Sequence, residues 1–383
     1  MLRRIQHLRR NERGMTFVFV GVGFMAFMAA TTLSIDVGMF MTARSQAQNA
    51  ADASALAGAI ALGFDDFDDR SSSGPAVQSA INTAVANQVM QGTVSVTPDD
   101  VTFPAGPSGQ NNRVQVTVYR TGARSNAVPT FMGSILGVSA VDIIATATAE
   151  AAPANAMTCV KPFIIPDRWL EEDTGAPATQ GDTFEMYDNQ GNPLPNPDTY
   201  IPSGPSYTGY NSETDRGALL TLRAGTGNNI NPSFYFSLAL GGETGGSEYE
   251  WNIANCNRTI MHMGEIAIQE PGNMVGPTVQ GVEALIARDP TAYWDLSQNK
   301  VVSPLSGQSP RVFPIPLYDP IYYAEGKKEG RFADFKVANW VGFFLESVQG
   351  NEIYGRITPI AGLADSNYPT NDEAFPVAIR LVQ

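Results

Sequence analysis

The longest apolar stretch of the chain lies near its N-terminus. Met15 to Ile35 comprises twenty-one residues without an ionisable side chain. A helix of this length, at about 1.5 Å rise per residue, spans roughly 31 Å, the thickness of the hydrocarbon core of a bilayer. The pattern therefore predicts a transmembrane helix over residues 15–35.

The charges that flank this stretch predict its orientation. Asp36 follows it, and five arginines precede it: Arg3, Arg4, Arg9, Arg10 and Arg13. Because positive charge is retained on the cytoplasmic side, residues 1–14 are predicted to be cytoplasmic and the body exported. A cleaved signal peptide, with Ala29–Thr31 as its site, is the alternative. Its apolar core is usually only about 7–15 residues long, so a retained anchor is favoured.

The helical pattern continues beyond the apolar stretch. Nine of the nineteen residues from Ala43 to Ala61 are alanine, the strongest helix former. One helix is therefore predicted from the membrane to about Leu62, with Gly63 ending it. Its exported half presents small side chains at intervals of three and four residues. Such a face packs either on the protein's own domain or on a helix of a larger assembly, and the two are compatible.

Shorter elements follow. Residues 64–74 are acidic and serine-rich, which indicates an exposed loop. Pro75 is typical of a first helical turn, and a helix is predicted from there to a stop at Gly92. Strands are predicted over 93–103, 113–120 and 138–148, with a short helix over 129–136. These elements form a small α+β domain on the long helix.

Composition changes after a small-residue linker, residues 151–158. Most of the 26 prolines and 36 glycines lie beyond it, with short apolar runs between turn-rich loops. The runs are residues 234–238, 312–317 and 341–345. This pattern predicts a β-rich domain over 159–383, with one clear helix over 278–287.

Charge and cysteine content agree with an exported body. Residues 1–14 hold five arginines and one glutamate, hence +4, so the total of −14 leaves −18 for the rest. Such an acidic body repels nucleic acid. The chain has two cysteines, Cys159 and Cys256, for which an oxidising compartment predicts one disulfide.

No catalytic motif emerges. His7 falls in the cytoplasmic segment, and His262, between two methionines, is typical of a strand residue. Ser297 and Lys300 have the spacing of a Ser-x-x-Lys pair, but no Lys-Thr-Gly accompanies them. The carboxylate pairs Glu171–Glu172 and Glu346–Glu352 suit an acidic surface, although a glycosidase site is possible in principle. The sequence predicts no enzyme and no cofactor.

Two acidic segments raise a calcium hypothesis. The four aspartates of the first are Asp65, Asp66, Asp68 and Asp69, and their spacing does not fit an EF-hand loop. The second, residues 188–192, is predicted to be a β-turn. Both are interpreted as solvated loops, and no metal site is predicted.

The helix after the membrane segment resembles a known family. The segment from Asp36 to Ala59, preceded by Asn11–Gly14, resembles the signature of TadG-like proteins of the Tad (tight adherence, or Flp) pilus-assembly machinery. The residues that carry the resemblance are Asp36, Gly38, Arg44, Gln46, Gln48, Asn49, Ala50, Ala51, Asp52, Ala53, Ala55, Leu56, Ala57 and Gly58. The resemblance is strong over the first 60 residues, looser to about residue 150, and moderate beyond it, where it is carried by short blocks at 271–273, 276–278, 289–290, 294–295 and 339–346. It implies a bacterial inner-membrane protein of pilus biogenesis.

The chain departs from the family's relatives at two points. Type IV prepilins are similar in having a glycine before the processing site, matched by Gly14, but Phe19 stands where they carry a glutamate. Many TadG-like proteins also carry a von Willebrand A domain, whose Asp-x-Ser-x-Ser motif is absent here. An accessory role is therefore expected, without prepilin processing and without a metal-dependent adhesion site.

The expected fold is α+β: a long membrane helix with a small pilin-like domain (residues 36–150), followed by the β-rich periplasmic domain. The expected function is that of a pseudopilin-like accessory subunit of a Tad/Flp system. Its expected partners are the lipid bilayer and other pilus components, namely pilins, an inner-membrane platform or an outer-membrane pore. An exported cell-wall hydrolase, or an adhesin without an assembly role, is the alternative.

Overall fold

The computed structural model describes residues 13–106, 111–211, 214–225, 229–242, 244–305, 308–328, 334–368 and 376–382. The arginines before residue 13, His7 and Asn11–Glu12 lie outside these residues, so the predicted cytoplasmic segment is not described. The chain forms two compact units, residues 1–151 with 379–383 and residues 152–378. The mixed content of a long helix and many strands is α+β, as predicted.

The first unit is built on one long helix. Helix α1 spans Arg13–Phe64, 52 residues, which confirms the continuous helix predicted to about Leu62. Helix α2, Pro75–Ala86, packs beside it. The short strands of this unit are β1 (Gln88–Val89), β2 (Gly92–Thr93), β3 (Val101–Thr102), β5 (Val128–Pro129) and β6 (Ala140–Val141). Its long strands are β4 (Arg113–Arg120) and β7 (Ile143–Pro153).

Strand β4 confirms the strand predicted there. Alternate residues of β4 are buried, as expected for a sheet with one face on the core. Val114, Val116 and Val118 pack against the alanines of α1, while β4 pairs with β3 and β7 along its edges. The predicted strand 93–103 is reduced to its two ends, because Pro98–Asp100 form a 3₁₀ turn. The predicted helix 129–136 is a 3₁₀ turn, Gly133–Leu136.

The helix predicted from Pro75 to Gly92 is too long. It ends at Ala86, and β1 and β2 form a hairpin in the remaining segment. The turn between them places Met90 and Gln91 in the left-handed region, with φ of 49° and 62°. The Oε1 atom of Gln46 accepts the N–H of Met90 at 2.8 Å. A contact with α1 therefore overrides the local helical pattern.

Residues 151–158, the predicted linker, contain the boundary between the two units and also take part in strands. β7 runs to Pro153, and Ala156–Met157 form strand β8, which pairs with β12 (Met261–His262). Most of these residues are buried. The last strand, β20 (Pro376–Val382), begins in the second unit beside β19 (Ile360–Ala361), and residues 379–382 belong to the first unit. The sequence pattern did not indicate that residues 379–382 return to the first unit.

The second unit contains a sheet that closes on itself. Its six strands, in order around the ring, are β17 (Asp334–Gln349), β16 (Val312–Tyr318), β9 (Phe163–Pro166), β11 (Phe234–Ser237), β10 (Leu219–Ala224) and β18 (Glu352–Thr358). β18 pairs again with β17 and closes the ring, while β13 (Ile266–Ile268) pairs with the start of β17. Closure leaves the ring strands without a free edge.

The alternation of side chains along the strands divides the core of this unit in two. Ile315 and Phe343 represent one face, which packs with residues of helices α3 (Gly246–Ala254) and α4 (Val275–Arg288). Tyr318 and Trp340 belong to the cluster on the other face. The predicted strands over 234–238, 312–317 and 341–345 are thus confirmed, as is the helix predicted over 278–287. Helices α3 and α5 (Pro320–Lys328) and the hairpin β14 (Tyr293–Asp295)–β15 (Lys300–Val302) complete the described elements.

Candidate functional site: the membrane-proximal helix

The N-terminal half of α1 is exposed on all sides. Among the described residues, α1 is the one helix long and apolar enough to cross a membrane, and none of its most apolar stretch is buried. The few hydroxyls of the stretch are satisfied within the helix, since Thr32 and Ser34 donate to Ala29 and Ala30 at 3.0 and 2.9 Å. A helix without unsatisfied polar groups is what the bilayer core accepts.

Asp36 ends the apolar stretch and is almost inaccessible, at 4% exposure. Its carboxylate accepts three successive backbone N–H groups, from Phe131 at 2.8 Å, Met132 at 3.1 Å and Gly133 at 2.8 Å. These groups lie at the start of a 3₁₀ turn, Gly133–Leu136, so Asp36 acts as its N-terminal cap from a distant part of the chain. Desolvation raises the pKa of Asp36, but the three hydrogen bonds outweigh it and hold that pKa below its ordinary value.

The segment that Asp36 holds is closely packed. The N–H of Val138 donates to the carbonyl of Gly133 at 2.9 Å, and the hydroxyl of Thr130 donates to the carbonyl of Val138 at 2.6 Å. A Cβ atom at position 133 would lie 2.8 Å from that same carbonyl oxygen and 3.0 Å from Thr130. Glycine is therefore required for the chain to close at this point.

The alanine-rich half of α1 packs within its own unit. Its buried small residues face α2 and β4: Ala43, Ala47, Ala50, Ala51, Ser54, Ala55, Gly58 and Ala59. A Cβ atom at Gly58 would lie 2.8 Å from Val114 and 3.3 Å from Ala80. The sequence left two interpretations of this small face: packing on the protein's own domain, or on a helix of a larger assembly. The first is observed, because α2 and β4 of the same unit cover the face.

Two glutamines of the signature fix neighbouring segments to the helix. Gln46 holds the β1–β2 turn through Met90, as described above. Gln48 donates to Asp52 at 2.8 Å and to the carbonyl of Thr146 in β7 at 3.3 Å. These residues connect α1 to elements that are distant in sequence.

The opposite side of α1 stays uncovered; we call it the outer face. It consists of Val37, Gly38, Met41, Arg44, Ser45, Gln48 and Asn49, all exposed. Met41, a large apolar side chain, is 70% exposed. Among the described residues, the side chains of Arg44 and Asn49 have no hydrogen-bond partner or ion pair. Three signature residues, Gly38, Arg44 and Asn49, are thus not used to hold this unit together.

Comparison with known families finds a match on helix α1. A family model described as Putative Flp pilus-assembly TadE/G-like covers part of α1. Residues 14–61 match that family. The resemblance predicted for the N-terminal region is confirmed, and this TadE/G-like segment extends from the start of the apolar stretch almost to the end of α1. No curated protein and no solved structure matches the chain.

The second unit holds the disulfide beside a cavity. Cys159 and Cys256 are bonded, as predicted. They line a cavity of about 790 Å³ with Lys161 and Arg288. The ammonium group of Lys161 is buried and donates to the carbonyls of Ile253 and Asn255. Burial, and to a smaller extent the charge of Arg288, lowers the pKa of Lys161 to about 7. These contacts join the chain around the disulfide to the end of α3.

The sequence's catalytic candidates have other partners. His262 lies in strand β12, as predicted, and stacks on Tyr368 with ring centroids 3.8 Å apart. The hydroxyl of Ser297 donates to Asp295 at 2.6 Å in the β14–β15 turn. Glu346 accepts from Arg356 at 2.7 Å. His262, Ser297 and Glu346 are thus each held by contacts within the second unit.

The acidic segments form turns. Asp66 accepts the N–H groups of Asp68 and Asp69, both at 3.0 Å. Asp188 accepts those of Gln190 and Asn192, at 2.9 and 2.8 Å, which confirms the predicted turn. Over the part of the chain that the structure describes, no group of three or more His, Cys, Asp or Glu side chains is arranged to hold a metal ion.

A buried carboxylate organises the connection between β9 and β10. Asp167 is inaccessible and accepts the hydroxyls of Tyr200 at 3.0 Å and Tyr207 at 2.8 Å. Backbone N–H groups of Arg168 and Tyr210 donate at 2.9 and 3.1 Å. Burial raises the pKa of Asp167 to about 6, against these hydrogen bonds, which lower it.

This raised pKa predicts a pH-dependent stability of the second unit. The native carboxyl binds its proton more tightly than the unfolded one, whose ordinary pKa is 3.8. Stability contributed by this group is therefore present below about pH 4 and decreases as the pH rises to about 6, by roughly 3 kcal/mol. In Asp167→Asn this component is expected to vanish. Denaturant unfolding at several pH values, followed by tryptophan fluorescence, measures the difference; parallel pH profiles of the two proteins would contradict the assignment.

Proposed function

We propose that the chain is a membrane-anchored accessory subunit of a Tad/Flp pilus-assembly and tight-adherence system. The observation that carries the proposal is the TadE/G-like segment on α1, whose first half is apolar and exposed and whose second half keeps an uncovered outer face. The apolar half anchors the chain in the inner membrane. The unit that packs on the other half holds the helix rigid outside the bilayer.

In this proposal the N-terminus is cytoplasmic and the body periplasmic. The arginines before residue 14 and the acidic character of the rest support that orientation. The chain acts by packing and protein contacts, without catalysis and without binding nucleic acid. His262, Ser297 and Glu346 are engaged in structural contacts, which favours this function over a cell-wall hydrolase.

The outer face is the proposed contact with other pilus components. It joins an uncovered apolar side chain, Met41, to a cation, Arg44, one turn further along the helix. Exposed apolar surface beside an unpaired arginine is typical of protein interfaces. The partners are pilins, the inner-membrane platform or an outer-membrane pore.

Arg44→Glu is expected to reduce the number of surface pili strongly while the protein level stays unchanged. Reversing the charge removes any pairing with an acidic partner, and the native unit loses no contact because Arg44 is exposed and unpaired among the described residues. Electron microscopy of cells that carry the variant measures the number of pili.

The matched control is Arg258→Glu, the same substitution at another exposed arginine. It changes the net charge equally and lies in the second unit, outside the TadE/G-like segment, so pili are expected to remain. If Arg44→Glu cells carry as many pili as Arg258→Glu cells, the outer face is not the assembly contact.

A further inference from the structure

A hairpin tip carries exposed apolar side chains beside α1. Strands β5 and β6 form the hairpin, and residues 130–139 form its tip. No charged residue occurs between positions 127 and 141. Phe131 is 61% exposed and Val138 50%. Exposing these apolar side chains to water is unfavourable, and an exposed apolar patch of this kind often marks a contact surface.

Asp36 determines where this tip lies along the helix. Its three hydrogen bonds to residues 131–133 fix the tip at the residue where the apolar stretch ends. Since the bonds go to backbone N–H groups, the position of the tip does not depend on its side chains. The tip therefore lies at the level where a membrane-spanning α1 would leave the hydrocarbon.

The tip also reaches back along the apolar stretch. Met132 and Gly133 line a cavity of about 440 Å³ together with side chains of α1 between Phe24 and Asp36. The α1 residues in this lining are mainly apolar, including Phe24, Met28 and Leu33. A groove of this kind, open along an apolar helix, has the chemistry of a lipid acyl chain.

We propose that the hairpin tip inserts into the lipid of the membrane that α1 spans, with an acyl chain in the groove between Met132 and the helix. The inference rests on the proposed anchoring of residues 15–35. The occupant is the bilayer because the tip is uncharged, lies at the boundary of the apolar stretch and continues its surface. The carboxylate of Asp36, at this boundary, is satisfied by the three N–H groups, which removes the main obstacle to its position there.

A helix that contacts the membrane at two points rotates less freely than a helix that contacts it at one point. A single helix rotates freely about its own axis in a bilayer, whereas a helix with a tip fixed to one side does not. The tip would therefore determine which way the outer face points along the membrane plane. Asp36 is then a positioning residue for the assembly surface.

Site-directed labelling tests the insertion. Because Cys159 and Cys256 are bonded to each other, an introduced cysteine is the free thiol for an environment-sensitive fluorophore. The full chain carrying Phe131→Cys is reconstituted in phosphatidylethanolamine–phosphatidylglycerol vesicles with spin-labelled lipids as quenchers. Ile35→Cys is the control within the apolar stretch. Ser72→Cys is the control in water: it is exposed in the loop after α1, whose last residue, Phe64, lies about 42 Å along the helix from Asp36.

The expected result is that lipid quenchers act on the label at position 131 nearly as strongly as at position 35, and several-fold more than at position 72. Adding Asp36→Ala is expected to reduce quenching at position 131 but not at position 35, because only the tip loses its attachment. A purely structural role of Asp36 would leave the quenching at position 131 unchanged.

Three outcomes would overturn the inference in distinguishable ways. If position 131 behaves like position 72 while position 35 is quenched, the tip is in water and the anchor stands. If position 35 is also unquenched, the proposed anchoring itself fails. If the label at position 131 is shielded from water but not reached by lipid quenchers, a protein covers the tip, and the groove belongs to a partner helix.

Discussion

Gly58→Leu is expected to unfold the first unit and to abolish surface pili. Gly58 lies where α1 packs against both α2 and β4, and even a Cβ atom would lie 2.8 Å from Val114 and 3.3 Å from Ala80. Leucine adds three further carbon atoms in a core without room for them. Overpacking of this kind costs about 1–3 kcal/mol or more. The expected effect is large because the core of this unit is made mainly of alanines and valines, which cannot rearrange to accept a larger side chain.

Limited proteolysis of the full chain measures the loss, because α1 between residues 43 and 62 can unwind into the extended form that a protease cleaves only when α2 and β4 separate from it. Gly38→Leu is the matched control. It makes the same substitution in the same helix, but nothing lies within 4 Å of the Cβ position. It is expected to keep its resistance to protease, since leucine is the better helix former. Equal proteolysis of the two variants would contradict the packing described for α1.

Replacing both cysteines by serine is expected to destabilise the second unit by about 4–5 kcal/mol. The bond joins residues 97 positions apart, so its removal releases a long loop in the unfolded chain. The loop includes β9, β10 and β11 of the closed sheet. Because the loop contains three of the ring strands, loss of the disulfide is expected to destabilise the whole sheet.

The chain provides its own reporter for this measurement. All four tryptophans lie in the second unit: Trp169, Trp251, Trp294 and Trp340. Their fluorescence follows the unfolding of that unit in the intact protein. The native chain treated with a reductant should unfold at the same denaturant concentration as the double variant. A change below about 1 kcal/mol would mean that the closed sheet, and not the disulfide, determines the stability of this unit.

Local patterns in the sequence predicted the elements that local forces form. Helix α1 follows from an uncharged stretch and a run of alanines, and β4 follows from strict alternation. The disulfide follows from two cysteines and the export predicted for the body of the chain. Each of these features depends on residues close in sequence or on composition, which one chain displays directly.

Contacts between distant residues were not predictable in this way. α2 ends early because Gln46, 44 residues before Met90, holds a turn in place of helix. Asp36 finds its partners 95–97 residues later, and the closed ring depends on the second pairing of β17 with β18. A short helix was predicted over 129–136, whereas the uncharged stretch from position 127 to 141, with Gly133 and Gly137, is the feature that could have indicated the hairpin tip.

The signature residues divide by role once the fold is known. Asp36, Gln46, Gln48 and the buried small residues hold the first unit together. Gly38, Arg44 and Asn49 do not, and they share the outer face. A signature that served only folding would not include an exposed arginine and an exposed asparagine without partners among the described residues. This division is the physical basis for assigning the outer face to assembly.

The most direct test of the assembly role is a count of surface pili on cells that lack the gene for this chain. The proposed function predicts that pili disappear and that the full chain restores them. If the cells without the gene carry a normal number of pili, the assembly role is contradicted, and an adhesin or an envelope enzyme replaces it as the function to be tested.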